Sequence, residues 1–191
     1  MLSDKVKELI KKSRIVSFES WQNYPPEVIA IFQQADDAGK YLTDEEIAKI
    51  KTLVPSLSGG LSQGKVLRDN VNEIVFQARA VVLDANPNIL EPGGGLYPPP
   101  RAEACWRDFW HFLRCISYGV GGQSINYTSD RGLGYMEQLY RELQVPLDAM
   151  VLGLEQLKVF SLREFASDRQ EDLKPYFDRL IESMRNFSPV S

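Results

Sequence analysis

The 191-residue chain has only one histidine and two cysteines, too few for a histidine-rich metal centre or a zinc-spaced cysteine cluster. Two thiols also fall short of a disulfide scaffold and fit a reducing compartment. Basic charge is scarce as well, with 22 Lys plus Arg against 26 Asp plus Glu, a net charge of -4 and a pI near 5.2. Such a surface lacks the field that gains counterion-release energy on nucleic acid, which is therefore set aside as a partner. No apolar run reaches the roughly 18 to 20 residues that span a bilayer, and the N-terminal MLSDKVKELIKK carries charges where a signal peptide needs its apolar centre. The expectation is a cytoplasmic chain, at most peripheral to a membrane. The phosphate-binding loop, the dinucleotide fingerprint, H-E-x-x-H and G-x-S-x-G are absent too. The chain is therefore not read as an enzyme.

What is present is helical periodicity. Apolar residues make up 43% of the chain, enough for a core that needs neither staples nor metal. Leu2, Val6, Leu9 and Ile10 recur at helical spacing behind Ser3, a candidate N-cap, and predict an amphipathic helix over residues 2–15. Residues 1–24 hold five basic groups against three acidic ones while the remainder is acidic. This N-terminal extension reads either as a helix packed on its own domain with a solvated face, or as a docking surface for a membrane or a partner. Helices are expected over 27–40 and over 44–54, the second opened by Thr43 with Glu46 at the capping-box position. A Ser-Gly loop at 56–62 precedes a long helix over 63–86. The segment PNILEPGGGLYPPP, with its prolines and consecutive glycines, must be a loop. An aromatic-rich helix follows over 102–120, then helices over 129–143, 146–160 and 167–187. No alternating strand pattern appears, so the fold class is all-α.

Chemistry concentrates in Cys105-Trp106-Arg107-Asp108 on the aromatic helix. At about 100° per residue, Cys105, Asp108, Phe112 and Cys115 fall in one sector of roughly 80°, a face that offers a thiol, a carboxylate and aromatic surface. Arg107 points elsewhere but is long enough to wrap around a large ligand. The two cysteines lie about 15 Å apart along the helix, beyond the about 7 Å reach of a disulfide. From the residues alone, Cys105 is more readily a small buried hydrophobe than a functional thiol. His111, the sole histidine, reads as an ordinary helix residue.

Several segments in consistent order, ADDAGKYLTDEEIAKIKTLV (35–54), VLRDNVNEIVFQA (66–78), PNILEPGGGLY (87–97), CWRDFWHFLRCISYGV (105–120), LYRELQVPLDAMVLGLEQLK (139–158) and PYFDRLIESM (175–184), resemble the allophycocyanin branch of the phycobiliproteins. The C-x-R-D run with the preceding Pro-Gly-Gly is the most specific part. The resemblance implies a globin-like helical domain at 25–191, with an N-terminal helical hairpin at 25–54 for subunit pairing, plus the extra N-terminal helix within 1–24. It implies a linear tetrapyrrole, phycocyanobilin being the bilin it points to, joined to Cys105 by a thioether. Arg107 would bind a propionate and Asp108 the inner pyrrole nitrogens, with Phe112 and Tyr97 beside the pigment. It also implies another phycobiliprotein subunit or a second copy as partner, at the cytosolic face of the thylakoid membrane. Asp36, Tyr41, Arg114 and Tyr118 match positions the family uses at the subunit contact, ordinary capping and packing being the alternative.

Departures from the family pattern are concentrated near the site. Gly95 stands where the loop motif has Asn, Pro98 to Pro100 follow Tyr97, Phe112 stands where an aromatic hydroxyl is common, and Gln123 replaces a turn Asp. Two other functions stay open at this point: an unpigmented interaction protein for phycobilisome assembly, regulation or degradation, and a carrier that releases bilin. The intact Cys105, Arg107 and Asp108 favour the pigmented reading.

Overall fold

Eight α-helices are arranged along residues 2–188, the part of the chain described by the computed structural model: α1 (Asp4–Lys12), α2 (Pro26–Asp37), α3 (Asp44–Leu53), α4 (Ser58–Ala85), α5 (Pro99–Gly121), α6 (Asp130–Glu142), α7 (Leu147–Leu162) and α8 (Ser167–Arg185). Local chemistry starts several of them. Ser3 Oγ accepts the Val6 N–H at 3.2 Å to open α1. Thr43 and Glu46 exchange both bonds of a capping box at 2.8 and 3.2 Å to open α3. The first turn of α5 holds Pro99 and Pro100, so this helix starts ahead of the predicted Ala102. First-turn amides have no intrahelical acceptor, and proline loses nothing there.

A larger correction falls on α4. It begins at Ser58 and runs through the Ser-Gly stretch expected as a loop. A Cβ on Gly60 would lie 2.4 Å from the Val120 carbonyl oxygen, and one on Gly64 would lie 3.0 Å from that of Ser117. These glycines let α4 approach the backbone of α5, a tertiary demand that outweighs their weak helix propensity.

Helix α5 is the axis of the core. It packs against α4, α7 and α8, and α7 in turn lies on both α4 and α8. Phe109, Leu113, Ile116 and Tyr118 are wholly buried on it, each worth roughly 1.5–3 kcal/mol of apolar transfer. The loop between α2 and α3 is tied to this axis. Tyr118 Oη donates to the Lys40 carbonyl, Tyr41 Oη donates to that of Trp110 at 3.2 Å, and Arg68 on α4 donates to the Leu42 carbonyl at 2.7 Å.

The segment before α2 is woven into the same core. Trp21 packs edge-on against both Phe18 and Phe32, Phe18 lies tilted against Phe32, and Phe18 also meets Tyr118. The Trp21 indole N–H donates to the Asn126 carbonyl at 3.1 Å. An isolated antiparallel bridge joins Val16 to Thr128, and no strand occurs among the described residues. The division drawn at residue 24 thus falls inside a packed aromatic cluster, while α1 lies along α6 with Val6 and Leu9 buried. No helix among the described residues is long and apolar enough to cross a membrane.

Candidate functional site

One face of α5 walls a cavity of about 960 Å³, near the upper end for small-molecule sites. Cys105, Arg107, Asp108, His111, Phe112, Arg114 and Cys115 all line it from this helix. Because these positions span ten residues, the cavity follows α5 for about 15 Å, a length suited to an extended ligand. Met136, Leu139 and Tyr140 on α6, with Leu143 capping its end, form a second wall. Pro98, Pro100 and Arg101 close one end, and Asp36 from α2 stands near the other with Arg14.

Asp108 is the most informative group. Burial pushes its carboxyl up to about 6, against the opposing effects of the Tyr140 hydroxyl and the Arg107 guanidinium. Tyr140 Oη donates to Asp108 Oδ2 at 3.1 Å, and burial beside that carboxylate raises the Tyr140 phenol well above its ordinary value, keeping it a donor. No other hydrogen bond reaches Asp108 among the described residues. A carboxylate accepts about four, so most of its capacity faces the cavity.

Cys105 is 4% exposed and free. Burial, and secondarily the Asp108 charge, pushes its thiol up to about 12. The sulfur is therefore protonated at neutral pH, and Cys115 is likewise pushed up to about 12 by burial. Arg107 is exposed at the cavity mouth and makes no hydrogen bond or ion pair among the described residues, leaving its fork open to a carboxylate. Arg101 instead donates to the Leu143 carbonyl at 2.6 Å and to that of Gln144, securing the end of α6. His111 has its basicity lowered by burial and by Arg114 and Arg107, and its Nδ1 accepts the Arg114 Nε–H at 3.1 Å.

Among the residues expected beside a pigment, Cys105, Arg107, Asp108 and Phe112 share this cavity. Tyr97 does not. Its side chain is 43% exposed and outside the lining, the wall at that point being Pro98. The four residues matched to a subunit contact are engaged within the chain. Arg114 donates to Asp36 Oδ1 and to Tyr118 Oη, both at 2.8 Å. Arg14 reaches Asp36 Oδ2 at 2.5 Å. Asp36, Tyr41, Arg114 and Tyr118 are each no more than 7% exposed. Sequence reasoning passed over Tyr140, Arg101 and Arg14, whose hydrogen-bond partners lie 22 to 43 residues away along the chain.

A long buried helix brings a thiol, a carboxylate of unused capacity and an open guanidinium to one elongated, mainly apolar cavity of a globin-like helical domain. Residues 30–184 match the family model described as phycobilisome protein. The chain is 30% identical over 151 residues to the allophycocyanin alpha chain of Galdieria sulphuraria, a match covering 79% of this chain and 94% of that one. It is 29% identical over 157 residues to the allophycocyanin alpha-B chain of Cyanophora paradoxa, covering 82% and 97%. The chain belongs to the phycobilisome protein family as a divergent, allophycocyanin-like phycobiliprotein. Phycobiliproteins are light-harvesting pigment proteins and not enzymes.

Proposed function

We propose that this chain holds one linear tetrapyrrole, of the phycocyanobilin type, through a thioether to Cys105, and that it serves light absorption and excitation-energy transfer at the cytosolic face of the thylakoid. Its partner is another phycobiliprotein subunit or a second copy of the chain. The observation that carries this reading is the convergence of Cys105, Asp108 and Arg107 on one cavity about 15 Å long.

The donor set fits such a group. When bound, the pigment supplies the conjugated system that absorbs visible light. Cys105 fixes the position of one end. The Asp108 carboxylate, with Tyr140 on one oxygen, has room for two N–H donors, and such donors would offset the burial that now holds its carboxyl near 6. Arg107 offers a bidentate fork to a propionate without having to break a pair first. Phe112, Met136 and Leu139 supply apolar walls that exclude water and restrict ring motion.

The experiment is coexpression with a bilin source followed by zinc-enhanced fluorescence on a denaturing gel. The wild-type chain is expected to give a band and Cys105→Ala none. A dark wild-type lane, or a band of equal strength in Cys105→Ala, removes covalent attachment at this residue. Colour that leaves the chain on denaturation would instead indicate a bilin carrier.

A further inference from the structure

The segment from Leu2 through α1 divides its apolar side chains between two surfaces. Val6 and Leu9 are buried as α1 lies along α6. Leu2 and Ile10 line the cavity yet remain 52% and 47% exposed. Nothing in the described chain covers them, and they face the same space as Cys105 and Asp108. Both ends of the segment are fastened differently. At its C-terminal end, Arg14 is clasped by Asp36 at 2.5 Å and Asp37 at 2.8 Å, beside the cavity. Towards its N-terminal end the tie is Lys5 to Glu142, a pair whose side chains are 68% and 35% exposed and which water and salt therefore weaken. A short helix that rests on α6 through only two buried side chains, Val6 and Leu9, and is anchored beyond its end by Arg14, with Leu2 just ahead of it and Ile10 on it turned to a ligand cavity, has the build of a flap. It lies outside the span matched by the family model, which starts at residue 30.

We propose that α1 closes over the pigment: Leu2 and Ile10 form the outer wall of the site, and a ligand in the cavity holds α1 against α6. This rests on the pigment reading above and adds to it the residues that shield the ligand from water. An elongated conjugated ligand is the occupant whose apolar surface matches the exposed sides of Leu2 and Ile10, because the inner walls are apolar as well. Occupancy and flap closure are then linked, since each buries surface that the other leaves open.

Lys5, Lys7, Lys11 and Lys12 give trypsin four exposed sites in and beside this helix. Full-length protein is prepared with and without coexpressed bilin, and release of N-terminal peptides is followed by mass spectrometry. Cleavage within α1 is expected to slow by roughly tenfold in the pigmented protein. In a double variant, Leu2→Gln with Ile10→Gln, the unpigmented protein should melt as wild type does, because both side chains are already half exposed. Its pigmented form should lose most of the protection and show a broader red band. Equal tryptic rates with and without pigment, in a wild-type chain that does carry a zinc-fluorescent band, overturn the flap alone. A wild-type chain with no such band overturns the pigment reading and the flap with it.

Discussion

Replacing Asp108 by Asn should stabilise the unpigmented protein, and the sign of that effect separates a ligand-binding carboxylate from a structural one. The side chain is held in a largely apolar site with one hydrogen-bond donor, Tyr140, at 3.1 Å. Burial raises its carboxyl from 3.8 to about 6. A raised folded-state value makes the ionised form costly: the native chain binds a proton that the unfolded chain has already released, so stability falls as pH rises from about 4 to about 6 and is level above that. At 1.36 kcal/mol per pK unit the cost of the carboxylate at neutral pH is about 3 kcal/mol. Asn removes it while keeping an oxygen for Tyr140. For a chain of this size the gain corresponds to roughly 6–12 °C in melting temperature at pH 7.5, shrinking towards zero near pH 4. Paired thermal and urea unfolding of wild type and Asp108→Asn, both expressed without a bilin source, measures the difference across pH 4–8. Equal stability throughout, or an Asn variant that melts lower at pH 7.5, would refute the claim that this carboxylate is strained for want of partners.

Three further perturbations have defined outcomes. Asp36→Ala leaves the Arg114 guanidinium buried without its 2.8 Å partner and should cost roughly 3–5 kcal/mol in urea unfolding, part of which returns when Arg114→Met is added; an unchanged midpoint would show that the pair is idle. Gly153→Ala on α7 would place a Cβ 1.9 Å from Phe109 Cζ, whereas a Cβ on Gly134 of α6 meets nothing within 4 Å. The first should destabilise by about 1–3 kcal/mol and Gly134→Ala should stabilise by up to about 1 kcal/mol, opposite signs that melting curves resolve. Because burial raises both thiols from 9.0 to about 12, iodoacetamide at pH 8 should label Cys105 and Cys115 about a thousandfold more slowly in the folded apo chain than in urea; comparable rates would mean the thiols are not buried.

Local signals in the sequence found what depends on near neighbours. The Thr43 and Glu46 pair was legible because both partners of a capping box lie within one turn, and the α5 sector was legible because Cys105, Asp108, Phe112 and Cys115 share one helix. Arg107 shows the limit of a helical wheel: its Cα points away from that sector, yet its long stem lets the guanidinium reach the cavity mouth. The start of α4 was misread because Gly60 and Gly64 answer to the backbone of α5, some fifty to sixty residues away, and not to local propensity. Tyr140 left no local signal at all, since its role is defined by Asp108, 32 residues earlier. Leu2 and Ile10 were legible only as part of one apolar stripe with Val6 and Leu9, about 100° wide, which is the usual width for a single packing face; that they turn to the cavity depends on how α1 sits on α6.

The ion-pair cluster around Asp36 bears on how a second subunit could dock. A buried pair is weak evidence for stability by itself, since desolvation offsets much of its attraction. What this one contributes is a single register for three separate parts of the chain: Asp36 on α2, Arg114 on α5 and Arg14 just past α1. Tyr118 completes the joint by accepting from Arg114 and donating to the Lys40 carbonyl. With Phe18 and Trp21 packed against Phe32, the inner face of the α2 to α3 region is covered by the chain's own N-terminal segment. A subunit that pairs with the folded chain through this hairpin therefore meets its outer residues, and reaching Asp36 or Arg114 would require displacing Arg14 first. The same Arg14 anchors α1 beside the cavity, so such a displacement would also loosen the wall formed by Leu2 and Ile10. Partner docking at Asp36 and closure over the ligand would then oppose each other, a coupling that titration of a partner against the tryptic release of α1 can detect.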